Sequence, residues 1–477
     1  MNPTFLSARD LASVTRSRAI SCLELLDHFI ARTERLDFRI NAVVVRDFER
    51  ARERARALDA STDRSLPLFG VPMTIKESCD VAGLPTTWGV PAMRGSVAPM
   101  NAVAVDRLLA AGVVLFGKTN VPLMLGDLQS FNEIYGSTNN PWDLTRSPGG
   151  SSGGSAAALA AGLTAIEVGT DLGSSIRNPA HYCGVFGHKP TWGICPLLGH
   201  ALRDRAPYSD ISVIGPMARS ASDLEIALDA LAGALPTDDG WKLDLPPSRV
   251  TNFRELRIAL MIDHPLSEVD ASITGKLAEL AVFLRSEGAT VSDTARPSFD
   301  LAGGHRLFIE MMFATTSTNN DGAAIQHWRD EASRLADNPG FYAMMARGHS
   351  MSHRDWLLSH EQRERLRLAW AEFFKEWDVL ICPVMASPAQ PHDHTEPFTR
   401  SITVNGHAVP FTDQLFWAGM ASLSLLPATV APLGFSPTLL PVGVQIIGPQ
   451  FGDRTTIQVA RMLEQAWQSF VQPPGWE

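Results

Sequence analysis

A segment rich in glycine and serine offers hydroxyl groups that can act as nucleophiles. It reads SPGGSSGGSAAALAAG from Ser147 to Gly162 and fits the pattern G-x-S-x-G with either Ser151 or Ser152 at the centre. In that pattern a serine sits on a sharp turn between a strand and a helix and attacks an acyl carbon. The preceding NNPWDLTRSP is polar and carries two prolines, so it predicts a loop instead of the required strand. A glycine-rich loop that only caps a helix explains the same residues, and both interpretations stay open at this point.

A second pattern, GVVLFGKT from Gly112 to Thr119, has the spacing of a phosphate-binding loop. Such a loop follows a strand and has a small, flexible interior whose backbone amides surround the phosphates. Here the interior is VVLF, which itself predicts a strand. We therefore do not expect nucleotide binding.

Three longer segments, in fixed order, resemble the motifs of the amidase signature family. They are GVPMTIK (Gly70 to Lys76), GGSSGGS (Gly149 to Ser155) and GTDLGSSIRNPA (Gly169 to Ala180). The family's two catalytic serines lie 24 positions apart, as Ser151 and Ser175 do here. The resemblance continues in the amino-terminal arm, in YGSTNNPWD, and in LPATVAPLG with LPVGVQIIGP. It is weakest between about residues 235 and 377.

The resemblance implies a chemistry for these residues. Lys76 would draw a proton through Ser151 from Ser175, and Ser175 would attack the amide carbonyl and form an acyl-enzyme. A lysine acts as a base only when neutral, and burial after the apolar GVPMTI would favour that form. The family also has a cis peptide bond at the bridging serine. The resemblance further assigns an oxyanion hole to the backbone amides of Leu172, Gly173, Ser174 and Ser175, and supporting roles to Ser152, Asp171 and Arg177.

By the same resemblance the chain is a hydrolase of carbon–nitrogen amide bonds, an EC 3.5.1-type amidase without a cofactor or metal. An aliphatic or aryl amide is the expected substrate, and carbamates (urethanes) and esters stay open because the same acyl chemistry applies to them. One alternative is the glutaminase subunit of a tRNA-dependent amidotransferase, which works only with partner chains. Ser174 in place of the family's glycine and the many tryptophans favour a free-standing hydrolase. A second alternative is an α/β-hydrolase esterase that uses the serine-rich turn.

Histidines and cysteines near the motifs have structural interpretations as well. A Ser/His/Asp triad would need a histidine such as His181 or His188, but the lysine mechanism needs neither, and we expect both to be structural. Cys183 is expected to be packed and unreactive. The five cysteines show no C-x-x-C spacing, which indicates reduced thiols and neither disulfides nor a zinc site.

The substrate pocket is expected in the part of the chain where the resemblance is weakest. Apolar side chains there suit an acyl or aryl group, although they would suit a hydrophobic core equally well. They are Phe308, Met311, Met312, Phe313, Phe341, Tyr342, Met344 and Met345.

Composition limits the partners. The chain has 477 residues, of which 45% are hydrophobic and 19% charged, and its net charge of −10 disfavours a nucleic-acid surface. No stretch reaches the roughly 18 apolar residues of a membrane span, and the first ten residues lack a signal-peptide core. We expect a cytoplasmic monomer or homodimer that binds a small amide substrate, without nucleic acid or membrane.

The elements that must position these residues alternate in type, which predicts an α/β fold. Amphipathic helices, without strands, are expected up to about residue 60, then strands in LFGVPMTIK, AGVVLFGK, AIEVGTD, RIALMI, DVLICP, TVAP and VGVQIIG. Helices are expected over the Ala-rich segment and over 361–377 and 455–470, and Asn405-Gly406 predicts a hairpin. With the resemblance, this indicates a single large amidase signature fold, in which helices cover both faces of a central mixed β-sheet. We divide it into a helical arm (1–60), a catalytic core (61–235), a variable pocket region (236–380) and a carboxyl-terminal part of the core (381–477).

Overall fold

A computed structural model describes residues 2–202, 209–238 and 240–477. Helices occur along the whole described chain. They are α1 (Ala8–Arg16), α2 (Cys22–Leu36), α3 (Phe48–Ala60), α4 (Val103–Ala110), α5 (Gly153–Ala160), α6 (Arg177–Cys183), α7 (Ala221–Leu231), α8 (Ala271–Ser286), α9 (Leu301–Thr316), α10 (Gly322–Arg334), α11 (Phe341–His349), α12 (His353–Glu376), α13 (Leu415–Ser422) and α14 (Asp453–Ala466).

The strands alternate with these helices, as the sequence predicts. They are β1 (Val43–Arg46), β2 (Pro72–Lys76), β3 (Val114–Thr119), β4 (Phe131–Asn132), β5 (Gly136–Ser137), β6 (Ile166–Asp171), β7 (Phe186–Lys189), β8 (Val213–Ala218), β9 (Arg257–Leu260), β10 (Thr290–Ser292), β11 (Val379–Pro383), β12 (Ser401–Val404), β13 (His407–Pro410), β14 (Ala428–Phe435) and β15 (Pro441–Ile447).

Eight strands form one large sheet in the order β10-β9-β11-β15-β14-β7-β8-β6. The pairs β10/β9 and β9/β11 are parallel, whereas the other neighbours are antiparallel. The sheet is therefore mixed, and the α/β prediction is confirmed. Strands β6, β7 and β8 precede residue 235 and the other five strands follow it, so both halves of the chain contribute to this one sheet.

Apolar side chains pack on both faces of this sheet. Successive strand residues point to opposite faces, and the neighbours Met217 and Ala218 of β8 belong to different buried clusters. The cluster with Ala218 includes residues of α7, α8 and α14, and the cluster with Met217 includes residues of α5, α6, α9 and α13. The helices thus cover both faces, as expected.

A smaller sheet carries the predicted base. Its order is β1-β3-β2, with β2 parallel and β1 antiparallel to β3. The expectation that the amino-terminal arm contains only helices was wrong here, because Val43–Arg46 pairs with β3. The sequence VVVR gives a short β-branched run that favours a strand once a partner edge is available.

Other expected elements are present with shifted ends. Helix α12 begins at His353, eight residues before the expected start, and α14 ends at Ala466 instead of residue 470. In the hairpin between β12 and β13, Asn405 has φ of 49° and Gly406 φ of 83°, as its tight turn requires. The division of the chain at residues 60, 235 and 380 stays a prediction. Among the described residues, none of the helices is both long and apolar enough to cross a bilayer.

Candidate active site

Lys76 is the last residue of β2 and is fully buried. Its ammonium nitrogen Nζ lies 2.6 Å from Ser151 Oγ and 2.7 Å from Thr170 Oγ1, and it donates hydrogen bonds to both. Ser151 belongs to the loop before α5, and Thr170 to the end of β6. Three separate segments of the chain therefore meet at one amine, and the predicted base and bridging serine are brought together.

Burial lowers the pKa of Lys76 from the ordinary 10.5 to about 7. No carboxylate within the described chain forms an ion pair with it. Its neighbour Glu77 instead accepts hydrogen bonds from the amide of Thr87 at 2.7 Å and the amide of Trp88 at 3.0 Å. Lys76 is consequently a lysine that can be neutral near pH 7.

The loop that carries Ser151 is held from two sides. The Gly150–Ser151 peptide bond is cis, as the resemblance implies. The amide of Gly150 donates to Asn178 Oδ1 at 3.0 Å. Ser130 Oγ donates to Gly149 O at 3.0 Å and accepts from the amide of Gly153 at 3.1 Å. Neither Asn178 nor Ser130 was singled out from the sequence.

Ser175 lies in the turn between β6 and α6 and is partly exposed, whereas Ser151 and Ser152 are buried. Its carbonyl accepts from the amide of Ser152 at 3.0 Å, so the two serine loops are in direct contact. The Ser152 hydroxyl lies 3.3 Å from the amide of Thr170, which donates to it. Of these serines, Ser175 is the one with solvent-accessible surface, as a nucleophile that must reach a substrate requires.

A buried ion pair shapes the turn around Ser175. Arg177 Nη2 donates to Asp171 Oδ1 at 2.9 Å, and both side chains are fully buried. Asp171 also accepts from the amides of Ser174 at 2.9 Å and Ile176 at 3.0 Å. Burial by itself raises the pKa of Asp171, but the Arg177 guanidinium outweighs it and the pKa falls to about 2. Asp171 is therefore ionised and fixes the turn from inside.

The backbone amides near Ser175 are not all available to an oxyanion. The Ser174 amide is taken by Asp171. The amides of Leu172, Gly173 and Ser175 form no hydrogen bond with any residue that the structure describes. Ser174 also has φ of 86°, and its buried hydroxyl has no partner among the described residues. The oxyanion assignment therefore rests on three amides.

An apolar wall stands beside these amides. A Cβ atom placed on Gly173 would lie 3.3 Å from Met312 Sδ of α9 and 3.8 Å from Leu415 Cδ2 of α13. Met312 and Leu415 are each 8% exposed. The other predicted pocket residues lie on α9 and α11. Phe308, Met311, Phe313, Met344 and Met345 are buried, Phe341 is half-buried, and Tyr342 is 42% exposed beside Trp328.

A buried acid close to the site was not singled out from the sequence. Glu167 of β6 is fully buried, and burial raises its pKa to about 8. It accepts from Thr74 Oγ1 of β2, and its other oxygen lies 3.5 Å from Thr119 Oγ1 of β3. Glu167 thus connects the small sheet to the large one, next to the strand ends that carry Lys76 and Thr170.

The histidines near the motifs have structural partners. His181 Nδ1 accepts from the amide of Gly443 at 2.7 Å, and its Nε2 lies 3.0 Å from the Ser387 carbonyl oxygen. His188 Nε2 lies 3.1 Å from Asp453 Oδ1. Cys183 is buried. No group of three metal-binding side chains occurs in the described part of the chain.

The residues before the serine-rich turn form no strand, so the turn lacks the strand that an α/β-hydrolase elbow requires.

Comparisons with known proteins show which proteins this chain resembles. A family model described as "Amidase" matches residues 24–457. The indoleacetamide hydrolase of Bradyrhizobium diazoefficiens is 30% identical over 96% of the chain and 86% of that protein. One subunit of the glutamyl-tRNA(Gln) amidotransferase of Bdellovibrio bacteriovorus is 30% identical over 98% of both chains. The solved structure of a 6-aminohexanoate cyclic dimer hydrolase with its substrate matches with a TM-score of 0.79 and 27% identity over 99% of both chains.

Proposed function

Because this chain belongs to the amidase signature family of hydrolases, which cleave carbon–nitrogen amide bonds, we propose that it cleaves a neutral, apolar amide through Ser175, Ser151 and Lys76. The observation that carries the proposal is the 2.6 Å contact between Lys76 Nζ and Ser151 Oγ at a lysine that can be neutral near pH 7. A neutral amine at that distance can accept the serine proton directly.

The proposed mechanism moves one proton along one path. Neutral Lys76 takes the proton of Ser151, Ser151 takes that of Ser175, and the Ser175 oxygen bonds to the carbonyl carbon. The amides of Leu172, Gly173 and Ser175 stabilise the resulting oxyanion. When the carbon–nitrogen bond breaks, the Lys76 ammonium returns its proton through Ser151 to the departing nitrogen. Water then repeats the attack on the acyl-enzyme and releases the acid.

The apolar wall supports an apolar substrate. Met312 and Leu415 face Gly173, so a substrate group beside the scissile carbonyl meets a thioether and an aliphatic side chain. Free glutamine carries an ammonium and a carboxylate, and burying either charge without a partner is unfavourable. Acyl anilides and aliphatic amides fit this apolar wall better than glutamine does. Carbamates (urethanes) and esters also have a carbonyl that the same acyl chemistry can attack, so they are further candidate substrates. We propose that the chain acts alone, as a monomer or homodimer in the cytoplasm.

The likeness to one chain of the amidotransferase gives the alternative a specific basis, and a substrate screen separates the two. The purified chain would be assayed with an acyl anilide, a fatty amide, an aryl carbamate and glutamine, with Ser175→Ala as a control for contaminating hydrolases. We expect turnover of the apolar substrates without any added protein and no release of ammonia from glutamine. Glutamine turnover that appears only with added partner chains would contradict the proposal.

A further inference from the structure

Ser130 lies across the loop that carries Ser151, on a segment that the family motifs do not include. Its side chain is buried, with 2% exposure. The hydroxyl donates to the carbonyl of Gly149 at 3.0 Å and accepts from the amide of Gly153 at 3.1 Å. These two glycines flank the segment that contains Ser151 and Ser152, so one hydroxyl joins both ends of the catalytic loop.

Other contacts also restrain the loop: the amide of Gly149 donates to Ser147 Oγ at 3.0 Å, and the amide of Ser152 donates to the carbonyl of Ser175 at 3.0 Å. The amide of Gly153 has Ser130 Oγ as its acceptor, and Gly153 lies at the start of α5, where an amide has no acceptor within the helix. On the opposite side, Asn178 Oδ1 holds the amide of Gly150. Ser130 and Asn178 therefore hold the backbone of Ser151 from two directions.

The segment that carries Ser130 is itself anchored. A side chain on Gly150 would overlap the backbone of Asp127 and Gln129, so the segment lies directly against the loop. Asp127 forms a buried two-point ion pair with Arg400, at 2.8 Å for each contact. Gln129 Nε2 donates to the carbonyl of Asp393 at 2.8 Å. Because this segment is anchored, the hydrogen bonds of Ser130 restrain the position of the loop that carries Ser151.

From these contacts we propose that Ser130 is a positioning residue that keeps Ser151 Oγ in proton-transfer contact with Lys76. The inference rests on the proposed function, since it concerns the same proton path. Without the hydroxyl, the Gly149 carbonyl and the Gly153 amide lose a buried partner, and the loop would move to regain hydrogen bonds. A proton bridge is sensitive to such a shift, because displacements near 1 Å can lower rates by about 10²-fold.

The test compares Ser130→Ala with Ser155→Ala. Ser155 is also a fully buried hydroxyl, in the first turn of α5, where it lies 2.8 Å from Thr119 Oγ1 and is hydrogen-bonded to Glu167. In the described structure its side chain forms no hydrogen bond with residues 149–153. Both variants lose one buried hydroxyl, so the fall in Tm should be similar. We expect Ser130→Ala to lower kcat about 10- to 100-fold with KM within about twofold, and to slow fluorophosphonate labelling of Ser175 equally. Ser155→Ala should keep kcat within about twofold.

The outcomes separate this inference from the proposed function. Wild-type kcat and labelling rate in Ser130→Ala would overturn the inference alone, and so would equal losses of kcat in both variants, since a general packing effect would then suffice. If Ser130→Ala does not fold, Ser130→Cys keeps the size of the side chain but forms weaker hydrogen bonds, and it should lose kcat in the same way. A wild-type enzyme that is not labelled at Ser175 would overturn the proposed function and this inference with it.

Discussion

Burial of Lys76 without a carboxylate partner sets the pH range in which the proposed base can work. A lysine with a lowered pKa is neutral above that pKa and charged below it. The pKa of Lys76 is lowered to about 7 by burial, so its active form is lost as the pH falls through about 7.

We therefore predict that kcat/KM falls as the pH is lowered from 8 to 5, with its midpoint near the pKa of Lys76, about 7. Lys76→Ala should lose activity by a factor of about 10² to 10⁴, the usual contribution of a general base. Lys76→Arg serves as the control for charge, because a guanidinium stays protonated and should be equally inactive. A pH-rate profile with an apolar anilide as substrate is measured for the wild type and for both variants. Full activity in Lys76→Ala, or a flat profile in the wild type, would contradict the proposed mechanism.

The second residue-scale prediction concerns neighbouring serines. Ser174 has φ of 86° and a buried hydroxyl without a partner in the described structure, and both features are unfavourable for a serine. Ser174→Gly should therefore raise the stability by about 1 kcal/mol and keep labelling by a fluorophosphonate. Ser175→Ala should abolish labelling.

Thermal unfolding and mass spectrometry of the labelled peptide check this prediction. An adduct on Ser174, or on Ser152 as an α/β-hydrolase turn would require, would refute the assignment of Ser175.

The sequence predicts residues with a fixed place in a motif better than residues that act through distant contacts. Lys76, Ser151 and Ser175 are predicted from their places in the family motifs, as the resemblance implies, and the structure places the Lys76 amine beside Ser151 Oγ. By contrast, Thr170 Oγ1 accepts a hydrogen bond from the Lys76 amine although the two residues are 94 positions apart in the sequence. Ser130 Oγ donates to the carbonyl of Gly149, which is 19 positions away. Nothing in the local sequence of a serine or threonine indicates which distant backbone it will contact, because that contact depends on how separate segments pack.

At the scale of elements, the buried carboxyl group of Glu167 in the large sheet contacts threonine side chains of the small sheet. The folded protein holds its proton more tightly than the unfolded chain, because burial raises the pKa from 4.5 to about 8. The stabilising contribution is complete below about pH 4.5 and is lost as the pH rises through about 8.

We predict that Glu167→Gln, which keeps the shape of the protonated acid, flattens the dependence of Tm on pH between 5 and 9. At pH 9 the variant should be the more stable protein, since it has no buried carboxylate to ionise. Glu279→Gln is the control, because Glu279 is exposed in a surface pair with Lys276 and its loss should leave the slope unchanged. Parallel Tm curves for Glu167→Gln and the wild type would contradict the role of this acid.

Helix α9 gives a prediction about substrate size. Met312→Phe adds volume beside Gly173, so kcat/KM for a bulky anilide should fall more than for a small amide, by about tenfold in relative terms. The matched control is Met462→Phe on α14, where a methionine of similar burial, at 6% against 8%, lies in the other core cluster. Equal losses on both substrates, or the same change in selectivity in the control, would show that Met312 does not line the pocket.

Whether a segment forms a helix or a strand was easier to predict than where the element begins and ends, or where a strand interrupts a helical region. Seven strands of the two sheets were predicted from composition, namely β2, β3, β6, β9, β11, β14 and β15, and turn chemistry predicted the Asn405-Gly406 hairpin. Strands β7, β8 and β10 of the large sheet were not predicted. Strand β1 was not predicted either, because it lies within the charged, helical arm and becomes a strand only by pairing with β3. The early start of α12 was also missed, since HRDWLLSH contains helix-forming residues without a clear apolar period.

At the scale of the whole molecule, the amino-terminal arm is part of the packed structure. Strand β1 covers one edge of β3, and Arg32 of α2 donates to the carbonyl of Ala161 at 2.9 Å and to that of Trp476. The arm therefore contacts both the end of the α5 segment and the carboxyl-terminal residues.

We predict that deletion of residues 1–60 yields insoluble protein, because it exposes a strand edge and apolar core together. Arg32→Ala is the milder comparison: it should lower the Tm while the chain still folds. Expression and sedimentation of the shortened chain test this. A soluble, active 61–477 fragment would show that the arm is dispensable.

The family resemblance predicts the fold of the whole chain but not the structure of its middle. Helices α9, α10 and α11 lie where the motifs stop, and the position of Met312 beside Gly173 appears only when α9 is packed against the catalytic turn. Apolar composition alone left pocket and core indistinguishable there.

The burial of all five cysteines has a practical consequence for following how the molecule opens. Burial raises the pKa of each thiol, to about 12 for Cys22, Cys79 and Cys382, so alkylating reagents find almost no thiolate in the folded state. Alkylation then requires local opening, and its rate reports how often each region opens. Cys22 lies in the arm and Cys382 in the centre of the large sheet. Molecules alkylated at Cys22 but not at Cys382 would be those whose arm has detached while the sheet remains intact.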